Sequence, residues 1–162
     1  MGILLHRIDD RLIHGQVVVG WGQPHNVRFL VLVDDLVASS DWEKDLYRMA
    51  VPPEMEICFA DVQTAIRDHA KYAADPRPGI LIAGDISVMH RLVSGVKAIG
   101  SVNLGGIHHR AGRKEKLRYI FLTPDEEREL LALEASGVEV TAQDVPGARA
   151  VPLAEILGGD ER

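Results

Sequence analysis

Residues 3–21 read ILLHRIDDRLIHGQVVVGW, and this stretch decides how the fold begins. Its apolar start, Ile3-Leu4-Leu5, predicts a strand, and Val17-Val18-Val19 with Trp21 can form the buried side of a short helix. Within residues 7–14, between these two apolar parts, lie two arginines, two aspartates and one histidine. A polar turn between a strand and a helix is where α/β proteins bind ligands and carry out chemistry.

The same alternation continues along the rest of the chain. Strands are predicted at residues 3–8, 28–33, 55–60, 79–83, 101–104, 119–123 and 138–142, and helices at 15–22, 41–50, 61–73, 86–96, 125–136 and 153–157. Because the strands are almost continuously apolar and alternate with helices, we expect one α/β domain over residues 1–162. Its core is predicted to be a mostly parallel, open twisted sheet of about seven strands with helices on both faces.

Composition excludes several classes of protein. The 162 residues are 46% hydrophobic and 26% charged, which is typical of a globular chain rather than a disordered one. A net charge of −6 without a lysine- or arginine-rich run argues against nucleic-acid binding. The single cysteine, Cys58, lies in a predicted strand and indicates a buried, unreactive thiol in a reducing cytoplasm. No leader or membrane-spanning run is recognised, so a cytoplasmic location is expected.

His14 is the candidate nucleophile. A histidine usually serves only as a hydrogen-bonding structural residue, but the surroundings of His14 favour chemistry. Gly15 lets a ligand approach the backbone, and the N–H groups of Gly15 and Gln16 lie at a predicted helix start that attracts anions. Arg11 can bind a phosphoryl group with two hydrogen bonds. A neutral imidazole nitrogen can form a labile phosphoramidate, and with Arg11 present no metal or cofactor is required.

Three aspartates have two interpretations each. Asp9 and Asp10 either form the turn through their own side-chain hydrogen bonds, or orient Arg11 or the ring of His14. The orienting role is assigned here to Asp10. Asp34, at the end of the second predicted strand, either faces the same crevice as His14 or caps the following helix.

A second polar segment, residues 103–113, follows a predicted strand. Gly105-Gly106 predicts a loop whose exposed backbone amides can bind an anion, although it is not a dinucleotide fingerprint. His108-His109 invites a metal site, but adjacent residues of an extended segment point in opposite directions. His108 and Arg110 are therefore interpreted as a polar edge near a crevice or a partner surface. A basic cluster of Arg110, Arg113, Lys114 and Lys116 can meet an acidic partner.

One segment carries a family resemblance: Arg7-Ile8-Asp9-Asp10-Arg11-Leu12-Ile13-His14-Gly15-Gln16-Val17. It closely resembles the active-site segment of the IIB components of the bacterial phosphotransferase system, mannose/fructose/sorbose family. Val51-Pro52-Pro53, residues 100–106 and Gly137-Val138-Glu139-Val140 are similar to that family as well, so the resemblance covers essentially the whole chain.

The resemblance implies a phosphocarrier. His14 would carry the phosphoryl group on the ring nitrogen nearer the backbone, and Arg11 would stabilise that group in transit. A IIA domain would donate the phosphoryl group from its own phosphohistidine, and a hexose-type sugar would receive it during uptake by IIC and IID membrane proteins. The protein would then lie in the cytoplasm or at the inner membrane through IIC and IID. Sugar identity and homo-oligomerisation are left open.

Two other functions compete with the phosphocarrier. A regulatory phosphoprotein of the same fold would use phospho-His14 to signal to a protein partner without sugar transport. A phosphate-ester hydrolase would use His14 as its nucleophile, but histidine phosphatases typically show an Arg-His-Gly core, and Ile13 precedes His14 here.

Overall fold

The computed structural model describes residues 2–158. A seven-stranded sheet forms its centre, with the order β3-β2-β4-β1-β5-β8-β9. Neighbouring strands are parallel from β3 to β8, and only β9 runs antiparallel to its neighbour β8. The predicted fold class, a mostly parallel α/β sheet, is confirmed.

Strands and helices alternate along most of the chain. The strands are β1 (Gly2–Asp9), β2 (Phe29–Val33), β3 (Glu56–Ala60), β4 (Pro78–Ala83), β5 (Ser101–Gly106), β6 (Lys114–Leu117), β7 (Ile120–Leu122), β8 (Glu139–Ala142) and β9 (Val151–Pro152). The helices are a π-helix (Gln16–Trp21), α1 (Asp35–Ala38), α2 (Asp41–Met49), α3 (Val62–Ala74), α4 (Ile86–Gly95), α5 (Pro124–Ala135) and α6 (Leu153–Gly158).

Two hydrophobic cores cover the two faces of the sheet. Side chains of β2 alternate between them: Val31 and Val33 pack into the core that α3, α4, α5 and α6 cover, whereas Leu30 and Leu32 pack into the other. That second core contains Val17, Val18 and Trp21 of the π-helix. The segment that carries His14 is therefore anchored by buried apolar residues that follow it directly.

Three sequence predictions about these elements need correction. The predicted strand at 119–123 forms β7, which pairs with β6 in a separate two-stranded sheet. The seventh strand of the main sheet is instead the short β9. The predicted helix at 15–22 is a π-helix. Cys58 is partly exposed in β3 rather than buried, although burial still raises the pKa of its thiol.

The carboxyl ends of β1 and β5 meet at one edge of the sheet. Ile8 pairs with Leu104 and Asp9 pairs with Gly106, with a register shift between the two pairs. Beyond this point the N–H of Asp10 donates to the carbonyl of Gly106 at 3.0 Å. The two polar segments that the sequence singles out are thus adjacent in space.

Candidate functional site

A buried ion pair lies beneath the turn that carries His14. Arg7 and Asp9 stand two residues apart on β1, so their side chains share one face of the strand. Both side chains are fully buried, and Nη2 of Arg7 lies 3.1 Å from Oδ2 of Asp9. Arg7 also donates to Oδ1 of Asn103 at 2.8 Å and to the carbonyls of Gln143 and Asp144, each at 3.1 Å. These bonds fix the guanidinium between β1, β5 and the segment after β8.

Glycine makes room for this guanidinium. A Cβ atom on Gly105 would lie only 2.0 Å from Cζ of Arg7. The Trp21 ring lies on another side, with its centroid 5.4 Å from the same atom. Burial lowers the pKa of Arg7, although the charge of Asp9 opposes that effect. Gly105 and Gly106 are buried residues of β5, so the prediction of an exposed anion-binding loop at these glycines is wrong.

Asp9 connects Arg7 with the turn above it. Its Oδ1 accepts from the backbone N–H of Arg11 at 3.1 Å and from Nε of Arg11 at 3.2 Å. Its Oδ2 lies 3.2 Å from Nη2 of Arg11 and 2.9 Å from Nε2 of His14. Burial alone would raise the pKa of Asp9, but hydrogen bonds from His14 and Arg11 and the charge of Arg7 hold it well below its usual range.

This geometry corrects the assignment of Asp10. The carboxylate that contacts both Arg11 and His14 belongs to Asp9, because β1 extends one residue further than predicted and points Asp9 into the site. The Asp10 carboxylate binds His108 instead, with Oδ1 lying 2.6 Å from Nδ1 of that ring.

The two nitrogens of His14 differ in their partners. An ionised carboxylate only accepts hydrogen bonds, so Nε2 carries the hydrogen in its contact with Asp9. The backbone N–H of Gln16 donates to Nδ1 at 3.3 Å, which requires a lone pair on that nitrogen. His14 is thereby held with Nδ1, the nitrogen nearer the backbone, unprotonated. Its side chain is 18% exposed, so a reacting group can reach it.

The turn itself is built from local hydrogen bonds. Leu12 adopts a φ of 60°, a left-handed conformation that is unfavourable for leucine, and its N–H donates to the carbonyl of Asp9. The N–H groups of Val17 and Val18 both donate to the carbonyl of His14, at 3.1 and 3.0 Å. The space beside Gly15 is open, since a Cβ atom there would meet nothing within 4 Å. The Gln16 side chain accepts from Nη2 of Arg11 at 2.7 Å.

His108 comes close to the same site from the segment after β5. A Cβ atom on Gly106 would lie 3.1 Å from Nη2 of Arg11, 3.2 Å from Oδ1 of Asp9 and 3.3 Å from Cε1 of His108. The His109 ring lies elsewhere, edge-on to Phe121 with ring centroids 5.8 Å apart. The two histidines therefore diverge, as the extended backbone predicts.

Other predicted residues lie outside this cluster. Asp34 caps α1 by accepting from the N–H groups of Leu36 and Val37, each at 2.9 Å. Arg110 is exposed. The predicted basic cluster is partly neutralised, because Arg113 pairs with Glu126 and Lys116 pairs with Glu127 of α5.

Sequence reasoning missed several supporting residues. The burial of Arg7, the role of Asn103 and the carbonyls of Gln143 and Asp144 were not predicted. One signal was available: Arg7 and Asp9 alternate with Ile8 in an apolar strand, and a charge at such a position is buried only when it is paired.

Fold and site together define a parallel α/β protein that presents a carboxylate-bound histidine at the carboxyl edge of its sheet. Comparison with known proteins agrees with this description. The family model of the phosphotransferase system (PTS) sorbose subfamily IIB component matches residues 3–162. The chain therefore belongs to the sorbose subfamily of PTS IIB components, within the phosphotransferase system of sugar transport.

Individual relatives share the similarity over nearly the whole chain. N-acetylgalactosamine-specific phosphotransferase enzyme IIB component 1 of Escherichia coli (strain K12) is 34% identical, with 90% of this chain and 92% of that protein covered. The PTS system mannose-specific EIIAB component of the same strain is 35% identical, over 90% of this chain but 45% of that protein. The crystal structure of the IIBSor domain of the Klebsiella pneumoniae sorbose permease has a TM-score of 0.87 and 25% identity, covering 98% of this chain and 97% of that chain.

Residues 2–158 contain neither a membrane-spanning helix nor a cluster of metal-binding side chains. None of the helices in this range has the length and apolar character to cross a membrane. Nor does this range bring together three or more histidine, cysteine, aspartate or glutamate side chains in an arrangement that could hold a metal ion.

Proposed function

We propose that this IIB protein is a phosphocarrier. Nδ1 of His14 accepts a phosphoryl group from the phosphohistidine of a IIA protein and passes it to a hexose-type sugar during uptake by IIC and IID membrane proteins. The observation that carries this proposal is the 2.9 Å contact between Nε2 of His14 and Oδ2 of Asp9, which keeps the Nδ1 lone pair available. The names of the relatives, specific for N-acetylgalactosamine and mannose, support a sugar as the final acceptor.

In the first step the Nδ1 lone pair attacks phosphorus in line with the bond to the donor histidine. The phosphorus–nitrogen bond to the IIA protein breaks, and its electron pair stays on the donor nitrogen. The His14 ring becomes positively charged, because Nε2 keeps its hydrogen while Nδ1 binds phosphorus. The Asp9 carboxylate compensates this charge through the bond it already makes, as the aspartate of a catalytic triad does.

Arg11 supplies positive charge to the phosphoryl oxygens. Its guanidinium is held by Asp9, and the Nη2 bond to the partly exposed Gln16 side chain can be exchanged for a phosphoryl oxygen. When phosphorus occupies Nδ1, the N–H of Gln16 is free to donate to the same group. Phosphoryl transfer depends mainly on such positioning and charge stabilisation.

Labelling with radioactive phosphate from the cognate IIA protein tests this proposal. His14→Ala abolishes labelling, and Arg11→Ala slows it by about 10²-fold while leaving the fold intact. Arg67→Ala is the matched control: it removes an exposed arginine of the same charge from α3, which contributes no residue to the site, and it is labelled at the wild-type rate. Sugar added together with the cognate IIC and IID membranes removes the label from His14.

Label that survives acid treatment, or that persists in His14→Ala, contradicts the phosphohistidine assignment. If the phosphoryl group passes from His14 to a protein but not to sugar when cognate IIC and IID membranes and sugar are present, the regulatory phosphoprotein is favoured instead. Continuous release of inorganic phosphate from sugar phosphates favours the hydrolase.

A further inference from the structure

Asp10 and His108 form a second carboxylate–histidine pair beside the first. Oδ1 of Asp10 lies 2.6 Å from Nδ1 of His108, and Oδ2 accepts the backbone N–H of the same residue at 2.7 Å. The Asp10 side chain is 12% exposed, whereas the His108 side chain is 48% exposed. One end of the ring is thus fixed by a mostly buried carboxylate, and the rest of the ring is open to solvent.

This pairing determines which nitrogen of His108 is free. An ionised carboxylate accepts from Nδ1, so Nδ1 carries a hydrogen and the neutral ring has its lone pair on Nε2. A carboxylate that holds an imidazole in this tautomer prepares the opposite nitrogen to accept a proton.

The His108 ring lies near Arg11, the residue that would bind the phosphoryl oxygens. Cε1 of His108, which is bonded to Nε2 in the ring, and Nη2 of Arg11 lie 3.3 and 3.1 Å from the point that a Cβ of Gly106 would occupy. Because Gly106 has no side chain, nothing from this residue separates the two groups. Nη2 of Arg11 in turn lies 3.2 Å from Oδ2 of Asp9, the atom that holds His14.

The segment that carries His108 is anchored without the help of the His108 ring. The backbone N–H of His108 already ties the segment to Asp10, and Nη1 of Arg113 donates to the carbonyl of His108 at 2.8 Å. Both bonds are independent of the side chain at position 108. The imidazole is therefore not required to anchor this segment.

Resting on the phosphocarrier function, we propose that His108 is the proton acceptor of the second transfer, from phospho-His14 to the sugar. The sugar hydroxyl oxygen attacks phosphorus, its proton passes to Nε2 of His108, and a new oxygen–phosphorus bond forms. The bond between phosphorus and Nδ1 of His14 breaks, and its electron pair returns to Nδ1. Asp10 compensates the charge that His108 acquires, and His108 later releases the proton to water.

The first transfer needs no such group, since a nitrogen lone pair attacks and no proton has to leave. This difference separates the two transfers experimentally. His108→Ala keeps the backbone bond to Asp10 and accepts phosphate from the cognate IIA protein at the wild-type rate. Its sugar phosphorylation, measured in vesicles that contain cognate IIC and IID, falls by about 10²-fold. The sugars offered are mannose, sorbose and N-acetylgalactosamine.

One further readout distinguishes proton transfer from a structural role. Free imidazole partly restores sugar phosphorylation by His108→Ala and leaves its phosphorylation by the IIA protein unchanged. His109→Ala is the matched control, because its ring packs on Phe121, and it behaves as wild type in both transfers.

A wild-type rate of sugar phosphorylation in His108→Ala overturns the proposal. So does an equal slowing of both transfers, since His108 would then act on IIA docking or on His14 itself. Failure of the phosphocarrier function gives a different result, because His14 of the wild-type protein would then take up no label at all.

Discussion

Nε2 of His14 lies 2.9 Å from Oδ2 of Asp9, a side chain that is completely buried. The same carboxylate oxygen accepts from Arg7, whose guanidinium is also completely buried. One oxygen therefore links the charge inside the sheet to the histidine at its edge. Any change at Asp9 affects stability and chemistry together, and the two effects can be measured separately.

Asp9→Asn removes the charge partner of Arg7 and leaves a guanidinium buried without an anion. Breaking a buried ion pair in this way lowers the free energy of unfolding by roughly 3 kcal/mol. The neutral amide introduced by Asp9→Asn no longer offers Nε2 of His14 an anionic hydrogen-bond acceptor. Labelling by the IIA protein is therefore slower, at temperatures where the variant is still folded. Urea denaturation measures the first effect, and the initial rate of labelling measures the second.

Asp10→Asn is the control for this variant, because it changes the neighbouring carboxylate but keeps the pair of Arg7 and Asp9. It retains most of the stability and the wild-type labelling rate. If Asp9→Asn and Asp10→Asn are equally stable, the buried ion pair is not what holds this edge of the sheet.

Gly105→Ala introduces a methyl group where the Arg7 guanidinium lies. The new Cβ would be 2.0 Å from Cζ and 2.3 Å from Nη2 of Arg7, so the network to Asn103 and Asp9 must shift. Overpacking of a tight core costs about 1–3 kcal/mol, and we expect the upper end here because charged groups lose their partners. The midpoint of thermal unfolding measures the loss.

Gly100→Ala is the matched control for Gly105→Ala. A Cβ at Gly100 meets nothing within 4 Å, so this substitution leaves stability unchanged or raises it slightly. Equal melting temperatures for the two variants would show that Arg7 can move aside without cost.

Local sequence patterns were sufficient for the central strands. The apolar runs at 28–33 and 79–83 correspond to β2 and β4 within one residue, because strands buried on both faces must be apolar throughout. The helix predicted to begin at residue 125 begins at Pro124, where Thr123 and Glu126 form a capping box at the start of α5.

Contacts between residues far apart in the sequence could not be predicted from local patterns. β9 is two residues long and has no periodicity, so its place at the sheet edge depends on packing against β8. Asp10 binds a residue 98 positions away, and nothing near Asp10 in sequence indicates that choice. Gly105 and Gly106 suggested a loop, since glycine is rare within strands, whereas Gly105 is accommodated in β5 because the side chain of Arg7 fills the space beside it.

His6 and His69 predict a loss of stability in mild acid. Their Nε2 atoms lie 2.9 Å apart, and the rings stack between β1 and α3. Burial, with a smaller contribution from the charge of His69, lowers the pKa of His6 from 6.5 to about 4. Burial lowers the pKa of His69 as well. Both rings are therefore neutral partners in the folded protein near neutral pH.

Proton binding determines whether acid raises or lowers the stability of the protein. Between pH 6.5 and about 4 the unfolded chain binds a proton at position 6 that the folded protein excludes, so the free energy of unfolding falls as the pH falls through this window. Each pKa unit corresponds to ~1.4 kcal/mol, and the full loss attributable to His6 is about 3 kcal/mol. Urea denaturation at a series of pH values measures it. His6→Ala flattens the slope in this window, whereas His90→Ala, a half-exposed histidine of α4, retains it. An unchanged slope in His6→Ala would mean that other groups cause the acid sensitivity.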